Sequence, residues 1–323
     1  MIIVTTMIII TFTIFLEHAN AQSVHNSGGK VFVMYAGSLL KIFEKDFGPA
    51  FQNDKNYKYV GEGKGSVQIA NMILEGFRNP DIFISAGAIP IDKLIDNNPS
   101  FAQWLMKFAS AEMVIEYSSN SRFYHDLEKA RTGEIPWYKV VSEKGFKFGR
   151  TDPELDPKGY NTIFTAKLSN IYYNNSDIKQ SILGEDGNLK QIFPEETLNT
   201  VLESGQVDAI AAYKHEAISR GLPYIQLPPQ INLGDPKFSS FYNKTLYTFP
   251  NFGHKIVRGG PVYFAVTIPT TSKNINGSIS FVNFLLSNNG RHILENQGLD
   301  YLKKPIIEGK IKEVPSQIKV SIK

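Results

Sequence analysis

The chain of 323 residues contains no cysteine. This absence excludes disulfides, thiolate metal sites, cysteine nucleophiles and a lipid-modified cysteine near the N-terminus. An excess of charge of one sign is also missing, because 34 Lys and Arg stand against 31 Asp and Glu. The net charge of +3 is too small and too dispersed to indicate a nucleic-acid partner. Internal repeats, heptads and low-complexity segments do not occur in the sequence, which argues against solenoids and coiled coils.

The composition that is present is that of an ordinary globular protein. Hydrophobic residues make up 42% of the chain and charged residues 20%, both close to globular averages. A length of 323 residues predicts about two domains of ~150 residues each.

A long apolar run occurs at the N-terminus, over residues 2–16 (IIVTTMIIITFTIFL). It is shorter than the ~20 residues that a membrane-spanning helix needs, and Ala19-Asn20-Ala21 supplies the small residues of a cleavage site. Residues 1–21 are therefore predicted to be a signal peptide. No Lys or Arg precedes the run, so an uncleaved anchor is the alternative. Either way we expect the protein to be extracellular and associated with the cell surface.

Strand and helix patterns alternate in the first third of the chain. Apolar strands are predicted at residues 30–35, 57–60 and 81–86, and a helical stripe of apolar residues follows each of the first two. Ser38 falls where the N-cap of the first helix belongs. This alternation is typical of βαβ units with a parallel sheet.

A second α/β domain is predicted from residue 112 onward. Its strands are expected at 112–117, 146–148, 207–213 and 262–268, and its helices at 160–173 and 195–203. A C-terminal helix over 279–294 is expected to pack back on the first domain. The predicted organisation is therefore a signal peptide (1–21), a first lobe (22–111 with 269–323) and a second lobe (112–268).

Three turns with Gly, Ser or Pro directly precede helices, namely Gly37-Ser38, Gly65-Ser66 and Asp156-Pro157-Lys158. The first turn of a helix carries unpaired N–H groups and the positive end of the dipole, so each turn is able to hold an anion. Simple N-capping by Ser38 and Ser66 is the alternative. The first two turns follow successive parallel strands and so open on one edge of the sheet, where α/β proteins bind ligands.

A set of motifs makes the sequence resemble a known family, the archaeal tungstate/molybdate-binding proteins of ABC transporters. The similarity extends from about Val31 to Leu299. The motifs, in chain order, are Tyr35-Ala36-Gly37-Ser38-Leu39, Gly61-x-Gly63-x-Gly65-Ser66, Pro80-Asp81-Ile82-Phe83-Ile84-Ser85-Ala86, Asp152-Pro153-x-x-Asp156-Pro157-x-Gly159-Tyr160, Ser204-Gly205-Gln206-Val207-Asp208 with Tyr213, and Leu227-Pro228-x-x-Ile231-Asn232-Leu233.

The resemblance implies an α/β, two-lobed type II periplasmic-binding-protein fold with the oxyanion in the interdomain cleft. It carries the oxyanion-binding role to a set of residues, which are Gly37, Ser38, Ser66, Asp156, Pro157, Lys158, Glu195 and Tyr213. Glu195 is assigned from its spacing ahead of the tyrosine, and Glu196 beside it is a near alternative.

Two of these residues, Asp156 and Glu195, are acids, and carboxylates facing a dianion should repel it by several kcal/mol at low dielectric. The resemblance implies that such acids approach the metal centre in this family. W(VI) and Mo(VI) accept a hard oxygen ligand that sulfur and phosphorus do not readily accept. The alternative is that Asp156 is an N-cap, Glu195 a first-turn acid and Tyr213 a core tyrosine. The six histidines show no metal-binding spacing.

The resemblance thus implies a substrate-binding protein, not an enzyme, that delivers tungstate or molybdate to an ABC permease and its ATPase. We expect a monomer without a cofactor and without a nucleic-acid partner. One alternative is a binder of another anion, such as sulfate or phosphate, on the same fold. The other is an exported enzyme that uses Asp156 and Glu195 as an acid/base pair or as ligands of a divalent cation. The absence of a nucleophile with a positioned base, and the neutral Gly/Ser turns, argue against an enzyme.

Overall fold

The computed structural model describes residues 28–251 and 253–321, and the predicted signal peptide lies outside this part. The strands are β1 (Lys30–Ala36), β2 (Lys58–Lys64), β3 (Ile82–Ala86), β4 (Trp104–Ala111), β5 (Met113–Tyr117), β6 (Phe148–Gly149), β7 (Ala209–Tyr213), β8 (Tyr224–Gln226), β9 (Leu246–Thr248), β10 (Ile256–Arg258), β11 (Val262–Thr267) and β12 (Asp300–Gly309). The helices are α1 (Leu40–Ile42), α2 (Gly48–Lys55), α3 (Ser66–Leu74), α4 (Ile89–Ile95), α5 (Tyr124–Thr132), α6 (Trp137–Val141), α7 (Pro157–Tyr172), α8 (Ile178–Leu183), α9 (Glu195–Glu203), α10 (Lys214–Arg220), α11 (Ser239–Tyr242), α12 (Ile275–Leu286), α13 (Asn288–Asn296) and α14 (Ser316–Ser321). Over these ranges, no helix combines the length and apolar character needed to cross a membrane.

The larger sheet has six strands in the order β12-β4-β11-β3-β1-β2. Strand β1 runs parallel to β2 and β3, as the alternation of strands and helices predicts. Strands β11, β4 and β12 add antiparallel pairings, so the sheet is mixed. Every residue of β3 is buried, because α3 and α4 cover one face of the sheet through Ile69, Ile73 and Leu94.

The other face of this sheet is covered by an aromatic cluster from both ends of the chain. Phe281 of α12 lies with its ring centroid 5.5 Å from Phe47 and 5.0 Å from Phe51. Phe284, one turn further along α12, makes an edge-on contact with Phe47 at 5.0 Å. Helix α12 therefore packs against β1 and α2.

The predicted single C-terminal helix is in fact two helices, α12 and α13. Ser287 separates them, and its Oγ accepts a hydrogen bond from the Gly290 amide at 3.1 Å. Gly290 also lies so close to the Phe284 carbonyl that a side chain there would collide with it. The break thus follows from a serine N-cap inside an apolar pattern that otherwise continues.

The smaller sheet has four strands in the order β6-β7-β5-β8. Helix α9 covers one face, where Leu198 and Leu202 pack with Val114 and Ile210. Helix α7 contacts β5 and β7 and belongs to the main hydrophobic core. Two packed layers around each sheet give the two-lobed α/β architecture.

The chain crosses between the two sheets twice. It leaves the larger sheet at Ala111 and enters the four-stranded sheet at Met113. After β8 it forms a separate two-stranded sheet of β9 and β10, and it returns to the larger sheet at Val262. The sequence analysis placed residues 262–268 in the second lobe, whereas β11 pairs with β3 and β4 in the larger sheet. The expected boundary is wrong by this one strand, because a lone apolar strand carries no sign of the sheet to which it belongs.

Candidate functional site

Two serines lie together at the carboxyl ends of β1 and β2. The parallel register of these strands pairs Ala36 with Lys64, so the turns that follow them meet at one edge of the sheet. Ser38 and Ser66 are both buried there. The N-cap positions belong to Ala36 and Gly65, so the expectation that Ser38 is an N-cap is wrong, as is the capping alternative for Ser66.

The serine hydroxyls therefore have other partners. Ser66 Oγ accepts a hydrogen bond from the Ala86 amide at 3.1 Å, and its own proton remains free to be donated. Ser38 Oγ is buried and has no hydrogen-bond partner among the residues that the structure describes. Buried hydroxyls are normally satisfied, so the unpartnered hydroxyl of Ser38 points to a ligand that accepts hydrogen bonds.

The two lobes touch across this edge. The Gln68 amide donates to the Leu155 carbonyl at 3.0 Å, and His215 Nε2 lies 3.3 Å from the Ser38 carbonyl. A Cβ on Gly37 would overlap the side chain of Glu195. Only glycine allows this close approach, so the two lobes are in contact around Gly37, and the cleft between them is closed on this side.

Asp156 faces the serines from the second lobe. It is the N-cap of α7, and its Oδ1 accepts hydrogen bonds from the Lys158 amide at 2.8 Å and from Thr151 Oγ1 at 2.9 Å. The capping alternative for Asp156 is therefore present in the structure. Both bonds use Oδ1, so capping does not occupy Oδ2. Burial raises the pKa of Asp156 to about 6, although the Lys158 ammonium opposes this change.

Glu195 is the first residue of α9, where an acid is also favoured by the helix dipole. Its side chain is buried, and Oε2 lies 3.1 Å from Lys158 Nζ. Burial, together with repulsion from Asp156, raises the pKa of Glu195 well above its usual value. Glu196 is partly exposed and pairs with Lys64 at 3.4 Å, so Glu195 is the acid that lies inside the closed cleft.

Lys158 is buried with its ammonium among carboxylate oxygens. Nζ lies 2.9 Å from Oε1 and 3.0 Å from Oε2 of Glu216. Burial alone would lower the pKa of Lys158, yet the Glu195 and Glu216 carboxylates hold it above its usual value. Its amide is bonded to Asp156 and the preceding Pro157 has no N–H, so neither residue presents a free backbone donor.

Tyr213 ends β7 beneath the two acids. Its hydroxyl accepts a hydrogen bond from Asn161 Nδ2 at 3.1 Å, which leaves the phenolic proton to be donated. The ring stacks on His215 with a centroid distance of 5.8 Å. Burial lowers the pKa of His215 to about 4, so the imidazole is neutral at pH 7.

The sequence analysis missed four residues of the site, which are Thr151, Asn161, His215 and Glu216. Asn161, His215 and Glu216 each contact a predicted residue that is distant in sequence, namely Tyr213, Ser38 and Lys158 in that order. Thr151 instead contacts the nearby Asp156. Thr151 lies close to the Asp152-Pro153 turn, so it is the one of these four residues that the local sequence was able to indicate. No sequence pattern marks the other three.

The closed cleft therefore combines hydroxyl donors with two carboxylates. A cavity of about 250 Å³ borders the acids, and its lining includes Gly65, Gln68, Asp156 and Glu195. Among the described residues, no group of three or more His, Asp or Glu side chains is placed to hold a metal ion. The arrangement offers O–H donors of the kind that an oxyanion accepts, with two buried carboxylates in the same cleft.

Comparisons with known proteins agree with this architecture. The family model described as "Bacterial extracellular solute-binding protein" matches residues 31–300. An uncharacterized solute-binding protein of Petrotoga mobilis is 31% identical over 303 residues, covering 91% of this chain and 90% of that protein. The molybdate/tungstate-binding protein WtpA of Pyrococcus abyssi is 28% identical over 315 residues, covering 90% and 89%. The structure of the Azotobacter vinelandii periplasmic molybdate-binding protein superposes with a TM-score of 0.56 at 16% identity, covering 84% and 99%.

Proposed function

The chain belongs to the family of bacterial extracellular solute-binding proteins, and from this membership and the geometry of the cleft we propose that it captures tungstate or molybdate for import by an ABC transporter. Two lobes close over the oxyanion, as in other two-lobed binding proteins. Members of this family bind and deliver a solute, so the protein is not an enzyme and its oxyanion is a ligand that needs no cofactor.

The observation that carries the proposal is the placement of two buried acids beside three hydroxyl groups. Ser38, Ser66 and Tyr213 supply O–H donors of the kind that any tetrahedral oxyanion accepts. Asp156 and Glu195 would repel a dianion unless another interaction with the ligand offsets the repulsion. Coordination of W(VI) or Mo(VI) by a carboxylate oxygen is such an interaction. Sulfur or phosphorus in a tetrahedral oxyanion does not readily accept this coordination.

Each site residue has a distinct part in this proposal. Gly37 allows Glu195 to reach over the first turn, and Pro157 starts α7 so that Asp156 caps it from within the cleft. Lys158 compensates the charge of the acids. The molybdate/tungstate-binding relative from Pyrococcus abyssi supports tungstate or molybdate as the solute.

The partners and location are part of the proposal too. We propose that the protein acts as a monomer outside the cell, held near its surface by the N-terminal segment, and that it passes the oxyanion to a permease driven by an ATPase. A second oxyanion, such as sulfate, fits the hydroxyl donors but leaves the two acids without a role.

Isothermal titration of the purified protein with tungstate, molybdate, sulfate, phosphate and Mg²⁺ tests the proposal. We expect binding of tungstate and molybdate at one site per chain, far more tightly than sulfate or phosphate. Equal affinity for sulfate would favour the other anion class. Binding of Mg²⁺ without any oxyanion would support the divalent-cation alternative instead.

A further inference from the structure

A buried lysine lies where the proposed site has two acids and a dianion to accommodate. Lys158 is 0% exposed, and its ammonium contacts three carboxylate oxygens. Two belong to Glu216, at 2.9 and 3.0 Å, and the third is Oε2 of Glu195, at 3.1 Å. The two contacts with Glu216 are hydrogen bonds, whereas the contact with Glu195 is an ion pair without a hydrogen bond. The buried ammonium therefore bridges the two carboxylates.

Glu216 fixes the position of that ammonium. Besides the two contacts with Lys158, its carboxylate accepts hydrogen bonds from the Tyr213 amide at 2.8 Å and from Asn199 Nδ2 at 3.1 Å. Four donors from three residues saturate the group and hold it as an anion. The same carboxylate therefore fixes both the Lys158 ammonium and the backbone of Tyr213, whose hydroxyl faces the cleft.

Glu195 is held by this lysine. Its side chain is buried, and its Oε2 lies 3.1 Å from the Lys158 ammonium, which Glu216 fixes in place. This ion pair sets the direction of the Glu195 carboxylate. Because it engages Oε2, Oε1 is the oxygen that remains for the ligand.

We propose that Lys158, anchored by Glu216, is a positioning residue that orients the Glu195 carboxylate toward the ligand and thereby determines the preference for tungstate or molybdate over sulfate. This inference rests on the proposed function. It differs from direct contact between Lys158 and the oxyanion, the role that the resemblance implies for the turn. Replacing Lys158 and Glu216 together by neutral residues removes one positive and one negative charge, so the net charge of the cleft is unchanged while Glu195 loses the contact that orients it.

The test uses a pair of substitutions that leaves no unpaired buried charge, Lys158→Gln with Glu216→Gln. We expect its tungstate affinity to fall ~10-fold or more, which corresponds to ~1.4 kcal/mol, and its sulfate affinity to change by less than about threefold. The matched control is Lys179→Gln with Asp186→Asn, which removes another ion pair of the second lobe, 2.8 Å long, and should alter neither affinity. Equal losses for both anions would overturn the proposal and indicate a direct donor.

Repeating the Lys158→Gln and Glu216→Gln pair in a Glu195→Gln background distinguishes a merely structural effect from an effect that acts through Glu195. If Lys158 acts through Glu195, the added pair should lower tungstate affinity by less than about twofold, since the carboxylate is already gone. Full additivity would contradict the proposal.

If the paired variant does not fold, Glu216→Gln alone gives the test, because it keeps the Lys158 ion pair with Glu195. We expect a smaller selective loss for tungstate, about threefold, that disappears in the Glu195→Gln background. A loss that persists there would refute the proposal. Failure of the proposed function would look different, because the wild-type protein itself would then show no preference for tungstate over sulfate.

Discussion

Replacing Glu195 with glutamine removes one carboxylate from the cleft and changes little else. The amide has nearly the same shape, so the close contact with Gly37 is retained. Lys158 keeps both carboxylate oxygens of Glu216, at 2.9 and 3.0 Å, and is therefore not left as an unpaired buried cation. The substitution thus tests the carboxylate alone.

The magnitude follows from the loss of one metal ligand. If Glu195 coordinates tungsten, Glu195→Gln should lower tungstate affinity by ~10-fold or more, which corresponds to at least ~1.4 kcal/mol. Sulfate cannot use the carboxylate and is only repelled by it, so its affinity should stay equal or rise. The two anions are expected to respond with opposite signs.

The assay is isothermal titration of the wild-type and Glu195→Gln proteins with each anion, and Glu196→Gln is the matched control. Glu196 pairs with Lys64 at the rim of the cleft and should affect both anions only weakly. An unchanged or higher affinity of the Glu195→Gln protein for tungstate would refute the coordination argument and return Glu195 to a helix-terminus role.

Three further predictions concern closure and buried charge. Small-angle scattering should show a smaller radius of gyration with tungstate than without it, because only the closed form makes both sets of contacts; an unchanged radius would argue against a site between the lobes. Gly37→Ala places a Cβ against Glu195, so tungstate affinity should fall ~10-fold or more while the melting temperature of the ligand-free protein changes little, and an unchanged affinity would contradict the close approach. Burial raises the pKa of Glu116 from 4.5 to about 8, so the stability that its protonated form contributes is lost as the pH rises through about 8. Glu116→Gln should therefore melt at a higher temperature than the wild type at about pH 9 and at a similar one at about pH 5, and a pH-independent difference would disprove this assignment.

The sequence predicted the site best where local patterns determine it. Strands β1 and β2 end at the turns that hold Ser38 and Ser66, and their parallel pairing brings these turns together. The chemistry at Ser38 was misjudged, because a serine before a helix is ordinarily a cap, whereas here Ala36 occupies that position. This helix begins with a 3₁₀ turn, so its N-cap lies upstream of Ser38, the residue that the sequence pattern favours.

Elements without a clear apolar period were missed. Strand β4 interrupts its apolar residues with Lys107, and β12, an edge strand, carries Lys303 and Lys304 on an exposed surface. Edge strands often carry such charges, which prevent pairing with other chains but remove the alternation that identifies a strand.

Sequence patterns also did not indicate the buried partners of the site residues, but for a different reason. Lys158 and Glu216 are separated by 58 residues, and nothing local in either segment indicates that they meet. Their contact depends on how α7 and α10 pack against the smaller sheet. The resemblance included Lys158 among the site residues but not Glu216, whose carboxylate holds the Lys158 ammonium.

X-ray absorption at the tungsten edge of the tungstate-loaded protein tests the central claim most directly. If Asp156 and Glu195 coordinate the metal, the number of oxygen neighbours should exceed that of the free tetrahedral oxyanion, and it should decrease in the Glu195→Gln protein. A tetrahedral tungsten spectrum in the wild-type protein, indistinguishable from that of tungstate in solution, would contradict coordination by the two acids.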